Sequence, residues 1–168
     1  MNSGDYPPGG YCSVNNQALL ANIFWTGNTA DAIAGPFTTE EELNDAMIKK
    51  YIFNNLPKNK VDFYKRAFPS ILPNHHPVFT HGDLQRKNIL VQETSPSPDL
   101  SVQSTTDYNY KVTVIDRETA GWYPSYWEYA RSIFACGRWN DDWSVYVDKV
   151  LDPFLTEYAW MLLKALWS

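Results

Sequence analysis

The residues with the most chemical content lie in one stretch, VFTHGDLQRKNILV, at positions 78–91. It sets His81, Asp83 and Asn88 in the spacing H-x-D-x-x-x-x-N, directly ahead of an apolar run. In phosphoryl transfer that spacing has a definite use. The Asp accepts or orients the proton of an attacking hydroxyl, and the Asn five residues later turns its amide oxygen toward Mg²⁺. A second metal ligand belongs at the end of a partner strand, and VTVIDRE places Asp116 immediately after the apolar run that ends at Ile115. A hairpin pairing 89–91 with 112–115 would bring Asn88 and Asp116 to the same edge of a small sheet. Two hard oxygen donors there suit Mg²⁺, which also takes phosphate oxygens and waters.

These residues need elements to position them. Val78–Thr80 reads as a short strand, His81–Asn88 as a polar turn, and Ile89–Val91 and Tyr110–Ile115 as strands of a hairpin. Residues 93–109 between them are rich in Ser, Thr, Pro and Asp and predict a mobile hairpin loop. Upstream, Thr38 or Thr39 can cap a helix whose first turn holds Glu40, Glu41 and Glu42 and which stops before Pro57. Its inner face would carry Leu43, Met47, Ile48, Tyr51 and Ile52. A weaker helix over about 59–68 turns Val61, Tyr64 and Phe68 inward, and 69–77 is proline-punctuated loop. Residues 17–25 form a short helix or an extended segment, 26–37 a loop, and 117–125 an irregular stretch. Helices are predicted at about 126–137 and 142–167, the second broken near Pro153 and apolar over more than half its circumference. The Gly/Pro/Ser/Asn-rich residues 1–16 read as an irregular N-terminal segment, leaving 17–168 as the structured lobe.

Composition narrows the function classes. A chain of 168 residues fits one domain and can bury a substantial core. The net charge is −5, and the 14 basic residues are scattered, which argues against a nucleic-acid partner. The most apolar stretch, 154–167, is shorter than a membrane span and carries Glu157 and Lys164. Two cysteines, Cys12 and Cys136, make neither a disulfide framework nor a CxxC metal site, so a soluble, cytoplasmic location is expected. His75 and His76 read as solvated loop. The 7 Trp, 11 Tyr and 8 Phe predict an aromatic-rich core, an aromatic-lined pocket, or both.

The order HGDL…NILV, a strand ending in VID, and ETAGWYPSYWEYAR resembles the aminoglycoside phosphotransferase family, whose relatives include choline- and homoserine-kinase-like enzymes. AGWYPSYWEYA (120–130) and GPFTTEEELNDAMI (35–48) resemble blocks of its fungal members. The resemblance runs from about residue 11 onward. It implies an α+β, predominantly helical fold: the C-terminal lobe of the protein-kinase-like architecture with one small β-hairpin. It makes Asp83 the catalytic base, Asn88 and Asp116 the metal ligands, and His81 a brace for the loop. ATP and Mg²⁺ are the implied cofactors and a small-molecule hydroxyl the implied acceptor. The family places acceptor recognition near Glu118, Trp122, Tyr126, Trp127 and Glu128, where the rings could equally be core. Glu128, Asp141 and Asp142 could attract a cationic acceptor or be solvated surface.

The chain departs from the family pattern in two ways. Nothing resembling a glycine-rich strand–turn–strand or a strand lysine precedes the catalytic loop, and Lys49, Lys50, Lys58 and Lys60 lie in a helix-and-loop region. A C-terminal lobe alone, its N-terminal nucleotide-covering lobe missing, is therefore expected, with a partner chain or dimer supplying the cover. At the site, Gln85, Arg86, Lys87 and Arg117 replace more usual residues and add positive charge. Arg117 and Lys87 are thus candidates for binding the cofactor's phosphates. Three readings stand: a phosphotransferase, a pseudoenzyme or small-molecule-binding module, and an enzyme that has reused Asp83 for other acid/base chemistry.

Overall fold

The computed structural model describes residues 10–27, 32–94, 109–137 and 139–162. These form an α+β domain with five α-helices and two small sheets. In chain order the elements are β1 (Cys12–Ser13), α1 (Glu40–Phe53), α2 (Lys58–Ile71), β2 (Pro77–Thr80), β3 (Ile89–Thr94), β4 (Asn109–Val114), β5 (Gly121–Pro124), α3 (Trp127–Phe134), α4 (Trp143–Val150) and α5 (Leu155–Met161).

α1 begins as its sequence predicts. Thr39 Oγ1 accepts from the Glu42 N–H at 3.1 Å, and the Glu42 carboxylate accepts from the N–H groups of Thr38 (2.7 Å) and Thr39 (3.4 Å). This reciprocal box satisfies donors that the first turn cannot pair internally. The buried stripe is Leu43, Ala46, Met47, Ile48, Lys50 and Tyr51. Ile52 does not join it and is 53% exposed. Lys50 takes the flank instead, its stem buried and its ammonium donating to the Trp25 carbonyl. α2 buries Val61, Tyr64 and Phe68 as expected but runs to Ile71, into the stretch expected as loop. Pro69 lies in its last turn, where the missing N–H removes one helical bond and nothing downstream depends on it.

One sheet has the order β1–β5–β2, the other pairs β3 with β4, and all pairs are antiparallel. The β3–β4 hairpin matches the expected pairing, with Ile89 opposite Val114 and Val91 opposite Val112. It extends over Glu93, Thr94 and Asn109, which were expected in the mobile loop; the rest of that loop, 95–108, lies outside the described residues. Two expectations of irregular structure are corrected, because both segments pair as strands. Cys12 stands opposite Trp122, and Phe79 opposite Trp122 on the other side. Local signals for these strands are faint, since each is fixed by partners more than 40 residues away in the chain. Close approach at the first pair depends on Gly121, whose missing Cβ would lie 2.6 Å from the Cys12 carbonyl oxygen.

The main core gathers Leu19, Ile23, Phe24, the inner faces of α1 and α2, Tyr123, Tyr126, Trp127 and Met161. Trp127 stacks between Phe24 (5.6 Å) and Tyr123 (5.0 Å). A smaller cluster joins Tyr129 and Ile133 of α3 to Trp143 and Val147 of α4. The helix expected over 142–167 divides into α4 and α5 around Pro153. Its apolar circumference is only partly core: Val147 and Met161 are fully buried, whereas Val150 and Leu155 face outward. His75, expected as solvated loop, is buried. Its Nδ1 meets Ser125 Oγ at 3.1 Å, its N–H donates to Glu40 at 3.0 Å, and its ring packs edge-on against Tyr126. His76 is exposed.

Thr39→Ala removes the capping oxygen and leaves the Glu42 N–H without its partner. Urea unfolding should show a loss of about 1 kcal/mol with an unchanged m-value.

Candidate active site

The 81–88 loop joins β2 to β3, and three contacts fix its path. Gly82 adopts φ +83° and presses against Thr119, where an added Cβ would lie 2.8 Å from both the carbonyl and hydroxyl oxygens. Thr119 Oγ1 donates to the His81 carbonyl at 3.3 Å. From α3, the carboxylate of Glu128 accepts the backbone N–H groups of His81 and Gly82, the second at 3.3 Å from each oxygen. Burial pushes the Glu128 carboxyl up, and these bonds pull it part of the way back. The Arg131 Nε, one turn along α3, donates to the Gly82 carbonyl at 3.4 Å.

His81 sits as a brace. Its Nε2 meets the Ile115 carbonyl at 2.9 Å, and its Nδ1 accepts from the Asp83 N–H at 3.3 Å. A neutral ring protonated on Nε2 satisfies both bonds. The imidazole therefore ties the loop to the last residue before Asp116.

Asp83 is surrounded by donors. Asn88 Nδ2 reaches its Oδ2 at 3.0 Å and its carbonyl oxygen at 2.8 Å. Lys87 Nζ lies 3.2 Å from Oδ2, and the Gln85 amide donates to Oδ1. Burial pushes the Asp83 carboxyl up, but the bonds from Lys87, Gln85 and Asn88 outweigh it and hold the group below its ordinary range.

Asn88 is buried, and its backbone carbonyl accepts the Ile115 N–H at 2.9 Å. The hairpin register continues through this bond, so Asn88 and Asp116 stand at the same end of β3–β4. Asp116 is exposed and takes φ +64°, turning the chain away as it leaves β4. With the Asn88 amide nitrogen spent on Asp83, its side-chain oxygen is the atom left to ligate. The donor set is one amide oxygen and one carboxylate, and among the described residues no group of three or more His, Cys, Asp or Glu could hold a metal. Amide and carboxylate oxygens are the donor type that hard cations take, and these two residues alone would leave most of such an ion's shell to other ligands. Arg117 is exposed, and its Nη2 folds back to the Val114 carbonyl at 3.4 Å.

Several sequence candidates fall elsewhere. Tyr126 and Trp127 are fully buried core, so they do not line an acceptor pocket, and Trp122 packs against Phe79 at 5.8 Å. Glu128 is neither surface nor pocket wall but the acceptor that holds the loop. Its signal in the sequence was an acid in the first turn of a helix rich in aromatics, which reads equally well as dipole compensation. Asp142 pairs with Arg86, whose guanidinium also lies 5.6 Å from the Tyr146 ring. Asp141 accepts the Trp143 N–H at 3.0 Å.

Glu128→Ala strands two loop N–H groups and should lower unfolding stability by about 1–3 kcal/mol in denaturant titrations. Glu128→Gln keeps one acceptor oxygen and should lose less. Because the folded state depresses Asp83, its stabilising contribution is full above the ordinary carboxylate value and is lost as pH falls through the lowered one. Melting temperatures of Asp83→Asn should therefore fall less steeply than those of the wild type below about pH 4. Parallel curves would show that the donors around Asp83 do not favour its ionised form.

Neither a family model, nor a curated protein, nor a solved structure matches this chain.

Proposed function

We propose that this chain is the catalytic lobe of a phosphotransferase resembling the aminoglycoside phosphotransferases. It takes part in ATP- and Mg²⁺-dependent phosphorylation of a small-molecule hydroxyl when a nucleotide-binding lobe, from a longer native chain or a partner chain, completes the site. One observation carries the reading. Asn88 donates to Asp83 at 3.0 Å through its side chain and accepts from Ile115 at 2.9 Å through its backbone, one residue before Asp116. Base, amide oxygen and second carboxylate are thus joined by a short path through one buried residue.

In this reading Asp83 receives the acceptor hydroxyl and takes its proton as the new phosphorus–oxygen bond forms and the bond to the leaving diphosphate breaks. Asn88 and Asp116 would hold Mg²⁺, which when bound neutralises charge on the phosphates. His81 keeps Asp83 and the Asp116 turn at a fixed separation. Lys87 and Arg117 flank Asn88 and Asp116 in the chain, and Arg117 folds back to the Val114 carbonyl. A covering lobe excludes water and orients the nucleotide, work that a hairpin edge alone does not do.

A second reading, a small-molecule-binding module without turnover, is favoured by the crowding of Asp83. Both carboxylate oxygens already accept bonds, and its depressed pKa makes it a weak base.

Titration calorimetry with ATP and Mg²⁺ tests the proposal. Binding should depend on Mg²⁺ and weaken roughly tenfold or more in Asn88→Ala and Asp116→Ala. No heat at millimolar nucleotide would sink the phosphotransferase reading for this chain, and small-molecule binding unaffected by Asp83→Asn would then support the binding module.

A further inference from the structure

The phosphotransfer reading leaves open which cation meets the phosphates, and the surroundings of each basic group separate the candidates. Arg86 is engaged by Asp142 and lies over Tyr146 on α4, pointing its charge away from Asp83. Arg131 lies beneath the loop on the Gly82 carbonyl. Arg117 turns back along β4 to the Val114 carbonyl. Lys111 stands opposite Gln92, toward the far end of the hairpin. Lys87 differs from all of these. Its side chain is 61% exposed, its ammonium lies 3.2 Å from Asp83 Oδ2, and it directly precedes Asn88. Extending the register beyond the Ile115–Asn88 bond puts its backbone across from Asp116.

We infer that Lys87 is the phosphate-binding cation of this site, and that it caps Asp83 until an acceptor arrives. The inference rests on the phosphotransfer reading and deepens it. Asp83 Oδ2 already receives Asn88 and Lys87, and Oδ1 receives Gln85. Oδ2 carries two donors, so a hydroxyl approaching that oxygen must displace one of them. The Asn88 amide is buried and also bonded to the Asp83 carbonyl, so it stays. Lys87 is the donor with an exposed, flexible stem and a charge that gains from finding another anion. Released from Asp83, its ammonium turns to the terminal phosphoryl oxygens of a nucleoside triphosphate held at the Asn88–Asp116 edge. The hydroxyl oxygen bonds to that phosphorus, the bond to the diphosphate oxygen breaks, and the hydroxyl proton passes to the carboxylate that Lys87 has left. One lysine thus serves two anions in turn, and the base is uncapped only as the phosphoryl group gains its counter-charge.

Calorimetry of MgATP binding to the full chain, comparing wild type with Lys87→Met, Lys87→Arg and Arg117→Met, tests this. Methionine keeps the apolar stem and removes the charge; arginine keeps the charge. Lys87→Met should weaken MgATP binding about tenfold or more, Lys87→Arg should restore most of it, and Arg117→Met should stay within about twofold. Melting temperatures of all four should agree, which separates charge loss from misfolding. Wild-type affinity in Lys87→Met, or equal losses in Lys87→Met and Lys87→Arg, would overturn the assignment to Lys87 alone. Absence of MgATP binding by the wild type would overturn both this assignment and the phosphotransfer reading beneath it.

Discussion

The loop that carries Asp83 hangs on one carboxylate. Residues 81–84 leave β2 through a left-handed glycine and cannot pair their N–H groups in a ladder or a helix, so those donors need an acceptor from elsewhere. Glu128 supplies it to His81 and Gly82, and its raised pKa records the cost of holding a partly buried charge there. α3 is well packed around it. Trp127 beside it is stacked between two aromatic rings, and Ala130 and Ile133 are buried on the same helix. Rigidity is passed from core to α3, from α3 to the loop backbone, and from there to Asp83.

A second connection ties the loop to the hairpin. His81 and Asn88 both bond to Ile115, one through its ring and one through its backbone. The hairpin end and the loop are therefore fixed to each other as well as to α3. This matters because the β3–β4 hairpin is otherwise poorly covered, with Leu90, Val91, Tyr110 and Val112 exposed. A two-stranded hairpin of that kind is marginal by itself. Its anchored end is the end that bears Asn88 and Asp116.

The parts of this arrangement that depend on local signals were legible in the sequence. The Thr39 box, the apolar stripe of α2, the β3–β4 pairing and the break at Pro153 each follow from residues close together in the chain. So did the placing of Asn88 and Asp116 at the same end of that hairpin, because each directly adjoins one of the two apolar runs. What was not legible is nonlocal. β1 and β5 are two and four residues long, and Gly121 makes their contact possible by an absence of side chain. Ile52 and Lys50 exchanged places because a carbonyl at Trp25 offered the ammonium a partner. Glu128 looked like a helix-start acid, and His75 like a surface residue beside prolines. Both are buried polar groups whose partners lie at least 35 residues away, and no local pattern encodes such partners.

The depressed pKa of Asp83 bears on which kind of chemistry the site can support. A free-standing general base works best with a pKa near the operating pH, and this carboxylate is held on the wrong side of its ordinary value. Phosphoryl transfer asks less of it. In a loose transition state the attacking hydroxyl bonds only weakly to phosphorus and keeps its proton until late, so the carboxylate's main task is to orient that hydroxyl. Strong donors around Asp83 cost little in that setting and fix its position. The same donors would hamper proton abstraction from carbon or activation of water without a phosphate nearby. The donors around Asp83 therefore suit a carboxylate that orients a hydroxyl better than one that abstracts a proton unaided, and the proposed phosphotransfer turns on whether nucleotide phosphates reach the Asn88–Asp116 edge.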